Sequence, residues 1–399
     1  MIVYLDSQDY SRMADPPKNR ASFFKFLDAE LTRLMNAGRI EIRYSAVHIS
    51  EITHTSPEAA AYSARRAEIL SRLSNGKCMR MNTDIFEDEL IHHFDDSHSI
   101  QATSENNQWL DTDILKHENF LDNLLTSVRV SMKERGYNRK ARRAVKMSDL
   151  RSRILHTEEG TAVIKSIIDN INRKFPLDRE LDRPTLLGYI AGDTSSKEFR
   201  AYMSTLLTDP VSLIARIARE YDTALRIPRM VRDIGLDQLE GMNRISEQLS
   251  TYFCARPSNV DVEQARKQIE RSLTETKNKV RRKSIRETLL NLGVKNSADL
   301  TDAQIDEIHA PTIDVLLTAR NKFFKNMISA AEFGKPMQMF SISDAADLMH
   351  AQYLAYVGVF RCDGAWADIL RPIGMRFNTD VVGKVEDLLP TIEKRLSAL

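Results

Sequence analysis

Ile2 to Leu5 form a short apolar, β-prone run that stops abruptly at Asp6, the pattern of a brief buried strand. Between Ala21 and Ala37, the residues Phe23, Phe24, Leu27, Leu31 and Leu34 recur at helical spacing, and Gly38 supplies a helix stop. Ile40, Ile42 and Tyr44 then alternate with polar residues, as a second strand would. Ser45 and Ala46 lead into a helix carrying His48, Glu51 and His54. Strand, helix, strand, helix predicts a parallel α/β sheet.

From about Pro57 to Gly334 the pattern is different, with almost no convincing strands. Heptad-like apolar spacing recurs in Phe120 to Val130, Val163 to Ile171, Val211 to Ala218, Val262 to Leu273 and Ile313 to Ile328. Gly136 and the prolines 176, 184, 210, 228, 257 and 311 punctuate it, which predicts many helices without a fixed repeat. After Gly334 the α/β signature returns. Met337 to Ile342 is apolar, and Ser343 resembles an N-cap for a helix reaching about Tyr356. Gly358 to Arg361 predicts a short strand ending at Cys362 and Asp363, and Trp366 to Leu370 a helix. Met375 to Phe377 suits a last strand, and Val381 to Leu396 a closing helix.

The simplest organisation is an α/β domain whose parallel sheet is assembled from N- and C-terminal segments, residues 1–56 plus 335–399, around an all-helical insertion at 57–334. Chain ends meeting in one domain are geometrically easy, because termini usually lie close together. The alternative is two small α/β lobes flanking a helical domain.

Composition narrows the function classes. The 399 residues are 42% hydrophobic and 28% charged, enough for a large core and for two or three domains. A net charge of +1 makes the whole molecule no magnet for nucleic acid, so any steering depends on local charge. Cys78, Cys254 and Cys362 form no CxxC pair, which disfavours a disulfide framework or structural zinc and suits a reducing cytoplasm. The opening MIVYLDSQDY lacks a signal peptide's basic region, and no run of about 18 apolar residues predicts a membrane span. GxGxxG, GxxxxGK[ST] and GxSxG are absent, so nucleotide-driven and acyl-transfer chemistry lack their motifs.

The candidate chemistry lies in acids. Asp6 and Asp363 each follow an apolar strand, Glu51 lies in the helix after the second strand, and Asp344 and Asp347 lie in the first turn of a helix that follows a strand, so four strand-end segments each deliver an acid to one edge of the sheet. Ligands of open parallel sheets bind beyond the carboxyl ends of the strands. Mutually repelling acids are costly unless a cation neutralises them, and hard Mg²⁺ or Mn²⁺ prefers such oxygens. Two such ions can activate a water and stabilise the leaving oxygen of a phosphodiester. Each acid also has an ordinary explanation, as a turn residue, a helix-start residue or a solvated side chain.

The segments IVYLDSQDY, YSAVHISEI and SISDAADLMHAQYLAYVGVFRCDGAWADIL resemble the motifs of PIN-like domain nucleases. The likeness covers roughly residues 1–56 and 337–380. It implies a PIN-like, Rossmann-like sheet, with Asp6, Glu51, Asp347 and Asp363 as catalytic, metal-binding acids. Asp344 competes with Asp347 for the third position, where the pattern Asp-Leu-Met-His-Ala favours Asp347. The likeness further implies Mg²⁺- or Mn²⁺-dependent endonucleolytic cleavage, of RNA more often than DNA, leaving a 5′-phosphate. Cys362 replaces the Thr or Ser that often precedes the family's last Asp, and the insertion is far longer than in minimal PIN domains.

Other features carry alternatives. His48, Glu51 and His54 share roughly one helix face and could bind zinc, although the spacing is not HExxH, or a histidine there could orient a carboxylate. The stretch His92-His93-Phe94-Asp95-Asp96-Ser97-His98 is either a solvated loop or a metal site. Two acid-free basic runs reach from Arg135 to Lys146, including Arg139, Lys140, Arg142 and Arg143, and from Lys277 to Arg286, including Lys279, Arg281, Arg282 and Lys283. They are either phosphate contacts or solvated helix faces, and acidic surface elsewhere must balance them. A PIN-like nuclease, whose helical insertion positions nucleic acid or takes a protein regulator, is the expectation. A toxin-like or defence effector is compatible with it. The rival from another class is a non-catalytic helical scaffold for nucleic acid or protein with a degenerate PIN-like domain.

Overall fold

The computed structural model describes residues 1–53, 60–104, 209–219, 262–294, 297–332 and 340–398, with scattered positions between 109 and 247. Strand β1 (Ile2–Tyr4) ends where Asp6 caps helix α1 (Ser7–Ala14). The N-cap carboxylate accepts the Gln8 N–H at 2.7 Å, and Asp9 answers it by accepting the Asp6 N–H at 3.3 Å. This helix is polar and escapes periodicity, yet Asp9 and Tyr10 are buried. Helix α2 (Ala21–Asn36) buries Phe24, Leu27, Leu31 and Leu34, and Gly38 ends it at φ +66°. Strand β2 (Glu41–Ile42) and helix α3 (Ala46–Ile52) follow as the alternation implied.

Helices α4 (Ala60–Ser74), α5 (Asn82–Phe94), α6 (Pro210–Arg219), α7 (Val262–Asn291), α8 (Asp302–Glu307) and α9 (Pro311–Glu332) are the described part of the helical stretch. The periodic segments from Val211, Val262 and Ile313 fall in α6, α7 and α9, whereas 120–130 and 163–171 lie outside the described residues. The stretch is not wholly helical in its pairing: Tyr44 bridges Cys78 in parallel and Met79 bridges Thr103 antiparallel.

Helix α10 (Ile342–Ala351) starts at Ser341 rather than Ser343, because the Ser341 and Asp344 side chains form a reciprocal capping box. It stops at Ala351, with a 3-10 turn over Leu354–Tyr356. Strand β3 (Val359–Arg361) leads through Asp363 into helix α11 (Gly364–Gly374). Met375–Phe377 is a 3-10 turn, not a strand, and Asn378 reverses the chain in the left-handed region at φ 56°. The last strand is β4 (Asp380–Val382), so helix α12 (Leu388–Ser397) begins later than Val381.

The four strands are all parallel, in the order β2-β1-β3-β4. Val3 pairs with Val359 and Tyr4 with Phe360, which joins the two ends of the chain at the centre of the sheet. The chain therefore is mainly helical with a small parallel sheet built from both terminal segments. The main core takes in Val3, Tyr4, Leu27, Phe360 and Trp366, and also Ala67 and Leu70 of α4 and Val315 and Phe324 of α9. The sheet's core thus extends past positions 57 and 334. A smaller cluster of Leu90, Ile285, Leu289, Ile305 and Ile308 lies where α5, α7 and α8 meet. Among the described residues no helix is long and apolar enough to cross a membrane.

Phe360 is 1% exposed and stacks on Tyr4 at 5.2 Å with a 6° interplanar angle. Phe360→Ala is expected to cost about 3–5 kcal/mol by cavity formation and to lower Tm in calorimetry. A loss below about 1 kcal/mol would mean that the chain ends do not share one core.

Candidate active site

Between β1 and β3 the sheet order reverses direction, so the crevice at their carboxyl ends is the topological switch point. Asp6 leaves β1 there as the cap of α1. Asp363 leaves β3 beside it as the cap of α11, its Oδ1 accepting the Trp366 N–H at 2.8 Å. Asp at an N-cap is an ordinary preference, so the helices themselves fix both acids at this edge. Glu51, in the last turn of α3, accepts from the Ser7 hydroxyl of α1 and from His350 Nε2 of α10 at 2.7 Å. Asp347 lies one turn before His350 on the same helix.

The two rivals for the third position have different surroundings. Asp344 Oδ2 accepts the Ser341 N–H at 2.8 Å and the Ser341 hydroxyl at 2.6 Å, and its Oδ1 accepts the Trp366 indole N–H at 3.2 Å. Its oxygens are taken by helix capping and by the tie to α11. Asp347 has no hydrogen bond or ion pair to the described residues.

Charge shows which acids are neighbours. Burial raises the Asp347 carboxyl well above its ordinary range, and the charges of Asp6, Asp363, Glu51 and Asp344 raise it further. Burial also raises Asp6, against the Gln8 N–H, Arg361 and His350, while Glu51 adds to the rise. The buried Cys362 thiol is pushed up by burial and by Asp6, Asp347 and Asp363. Burial works to raise Glu51 as well, but the hydrogen bond and charge of His350 and the Ser7 hydroxyl hold it below its usual value. Asp6, Glu51, Asp347 and Asp363 are therefore brought within electrostatic reach of one another.

Behind them lies a fully buried acid, Asp9, with Arg361 Nε 3.4 Å from its Oδ2 and Arg361 only 4% exposed. Burial pushes Asp9 up to about 7, opposed by Arg361 and reinforced by Asp6. Asp9 Oδ1 and Arg361 Nε and Nη1 have no hydrogen-bond partner, so the pair is held by charge more than by directed bonds.

The donor set suits a hard divalent cation, being carboxylate oxygens with no free thiolate or imidazole among them. Among the described residues, however, no group of three or more His, Cys, Asp or Glu side chains is spaced as a ready-made metal shell.

The zinc reading of the α3 face fails on His48. It is fully buried, its Nδ1 accepts the Ser45 N–H at 3.0 Å, and its Nε2 donates to the Leu5 carbonyl at 2.9 Å. Burial pushes it down to about 3, so it stays neutral. His54 lies outside the described residues. His92 and His93 belong to α5, and the turn after it is folded onto buried Asp88, which pairs with Arg80 and with His98 at 3.1 Å.

The basic runs are also altered. Arg139 and Lys140 are exposed, while Arg142 and Arg143 lie outside the described residues. On α7, Lys279 and Lys283 are exposed. Arg281 is instead 8% exposed and donates to Asp314 and to the Ile305 and Ile308 carbonyls. It is a structural residue and offers no charge to a phosphate. Arg282 is paired with Asp302 and Asp306. The acidic surface that balances this run sits directly against it.

Sequence reasoning missed Ser7, Asp9, His350 and Arg361. His350 was visible in Asp-Leu-Met-His-Ala one turn after Asp347; the others needed the fold. Folding raises Asp6, Asp9 and Asp347, so the folded chain holds these protons more tightly than the unfolded chain. Their stabilising contribution is complete below the ordinary 3.8 and is lost as pH rises through the raised values, about 7 for Asp9. The denaturant midpoint of metal-free protein should fall across that window, and Asp347→Asn should raise the midpoint at about pH 8 and flatten the fall. A midpoint profile parallel to that of the wild type would show that Asp347 is not a repelled acid.

No protein-family model, curated protein or solved structure matches this chain.

Proposed function

We propose that the chain is a PIN-like, Mg²⁺- or Mn²⁺-dependent nuclease that hydrolyses phosphodiester bonds, of RNA in preference to DNA. The observation that carries this reading is Asp347: a half-buried acid without a hydrogen-bond or ion-pair partner among the described residues, repelled by Asp6, Asp363 and Glu51. Such an arrangement costs stability, and residues that cost stability while clustering in a crevice are candidates for function. The switch-point location supports the same reading, as does the resemblance of the three segments to PIN-like motifs.

In this reading Asp6, Glu51, Asp347 and Asp363 hold the cation. Bound there, a divalent cation would offset the charge of a phosphodiester and lower the pKa of a water. The protein's own groups set the stage for it. Helix caps fix Asp6 and Asp363, and Ser7 and His350 restrain Glu51. Asp344 contributes by tying the start of α10 to Trp366. Among the described residues of the two basic runs, Lys279 and Lys283, with Arg139 and Lys140, are exposed cations that would meet a phosphate backbone, Lys283 lying 3.6 Å from Glu287.

The test is incubation of purified protein with single-stranded RNA, tRNA, single-stranded DNA and duplex DNA, each with Mn²⁺, Mg²⁺ or EDTA. Cleavage should require the metal. Asp6→Asn, Asp347→Asn and Asp363→Asn should each lose at least about a hundredfold in rate, the upper end of what removing even an outer-shell partner costs. Asn still caps a helix, so the fold should hold at positions 6 and 363. Asp344→Asn should lose less. Full activity in purified Asp6→Asn would falsify the mechanism, and binding without cleavage under any metal would assign the chain to the scaffold class.

The cationic residues allow a separate measurement. Lys279→Ala and Lys283→Ala should each flatten the salt dependence of RNA binding by about 0.7 to 0.9 in slope. Arg281→Ala should instead cost about 3 kcal/mol of stability, since it strands Asp314 and two carbonyls. An unchanged slope in the lysine variants would make that face merely solvated.

A further inference from the structure

His350 is 7% exposed and, from the C-terminal segment, is bonded to two residues of the N-terminal one. Its Nε2 lies 2.7 Å from Glu51 Oε2, and its Nδ1 lies 2.7 Å from the Tyr4 hydroxyl. The Tyr4 hydroxyl in turn lies 2.7 Å from Ser45 Oγ. Tyr4 is fully buried, stacked on Phe360 and Tyr353 at ring distances of 5.2 and 5.4 Å, so it cannot swing away.

The direction of the last link in this chain of bonds follows from donor chemistry. A carboxylate only accepts, so His350 Nε2 carries the hydrogen and donates to Glu51. On the other side of the ring the Tyr4 hydroxyl joins His350 Nδ1 to Ser45 Oγ, which also lies 3.2 Å from Nδ1 of His48. The chain of bonds thus links Ser45, Tyr4, His350 and Glu51. It starts at the N-cap of α3 and returns to the last turn of the same helix, passing through β1 and α10 on the way.

Both donors to Glu51, Ser7 Oγ and His350 Nε2, meet on Oε2. Among the described residues Oε1 receives none, and the side chain remains 32% exposed. A carboxylate pinned through one oxygen presents the other in a fixed direction. Outer partners that orient a ligand in this way usually matter for metal affinity nearly as much as the ligand itself.

We propose that His350 is a positioning residue that clamps Glu51 through Oε2 and so presents Oε1 to a divalent cation at the acid edge. This inference rests on the acidic-centre reading above. A purely structural histidine would fill the same space but would leave metal affinity untouched when replaced by another polar side chain.

The experiment is Mn²⁺ titration of the full chain, by calorimetry and by electron paramagnetic resonance, with thermal melts of each variant. The amide nitrogen of Gln falls where Nε2 of His lies, whereas that of Asn falls near Nδ1. His350→Asn should weaken Mn²⁺ binding about 10- to 100-fold. His350→Gln should recover most of that loss, because it can still donate to Glu51. Wild-type affinity in both variants overturns the proposal while leaving the acidic centre standing. Absence of Mn²⁺ binding by the wild-type chain overturns both. Should His350→Asn fail to fold, Tyr4→Phe decides: it keeps the ring, removes the hydroxyl bonded to Nδ1, and must weaken Mn²⁺ binding for the proposal to survive.

Discussion

The molecule depends on the parallel pairing of β1 with β3. These strands are three residues long, and their registered partners Val3 and Val359 belong to opposite ends of the chain. Closing a connection of several hundred residues costs about 5 kcal/mol in chain entropy, an amount that grows only slowly with length. A few ladder hydrogen bonds do not offset it. Burial does: Val3, Tyr4, Leu5, Val359 and Phe360 are all at or below 1% exposure, and each fully buried large apolar side chain contributes about 1.5–3 kcal/mol. The long helical stretch is tolerated because its flanking helices α4 and α9 join the same core and bring the ends back together.

That pairing creates an electrostatic problem at its carboxyl edge. Asp6 and Asp363 emerge from adjacent strands, and Asp347 and Glu51 are carried in by helices. The fold answers in three ways. Helix N-termini neutralise part of the charge on Asp6 and Asp363. Arg361 sits buried behind the edge, lowering Asp6 and Asp9 together. His350 and Ser7 steady Glu51. Among the described residues nothing comparable serves Asp347, and the residual repulsion collects there.

Much of this was legible in the sequence because it is local. The apolar runs before Asp6 and Asp363 mark strands whatever surrounds them, and the spacing of Phe24, Leu27, Leu31 and Leu34 marks α2. What could not be read depends on distant partners. Helix α1 looks like a polar loop until Arg361 arrives to meet Asp9. The pattern Asp-Leu-Met-His-Ala favours Asp347 over Asp344, but the bond from Trp366 that ties up Asp344 needed the fold. Arg281 reads as a surface cation until Asp314 and the carbonyls of Ile305 and Ile308 surround it. The 3-10 turn at Met375–Phe377 carries the apolar residues of a strand, yet a Cβ on Gly374 would stand 2.8 Å from the Thr379 carbonyl oxygen. The chain is folded back too tightly there for extended backbone.

The joining of distant segments also has a consequence in time. Ribosomes add roughly 5 to 20 residues per second, so β1 emerges on the order of tens of seconds before β3. Throughout that interval one side of β1 lacks its neighbour, and Asp6 and Glu51 are present without Asp347 and Asp363. The nascent chain therefore cannot assemble the acidic edge before residue 363 has been made. Any chemistry of that edge is deferred until translation has passed residue 363, and an aborted product would not carry it.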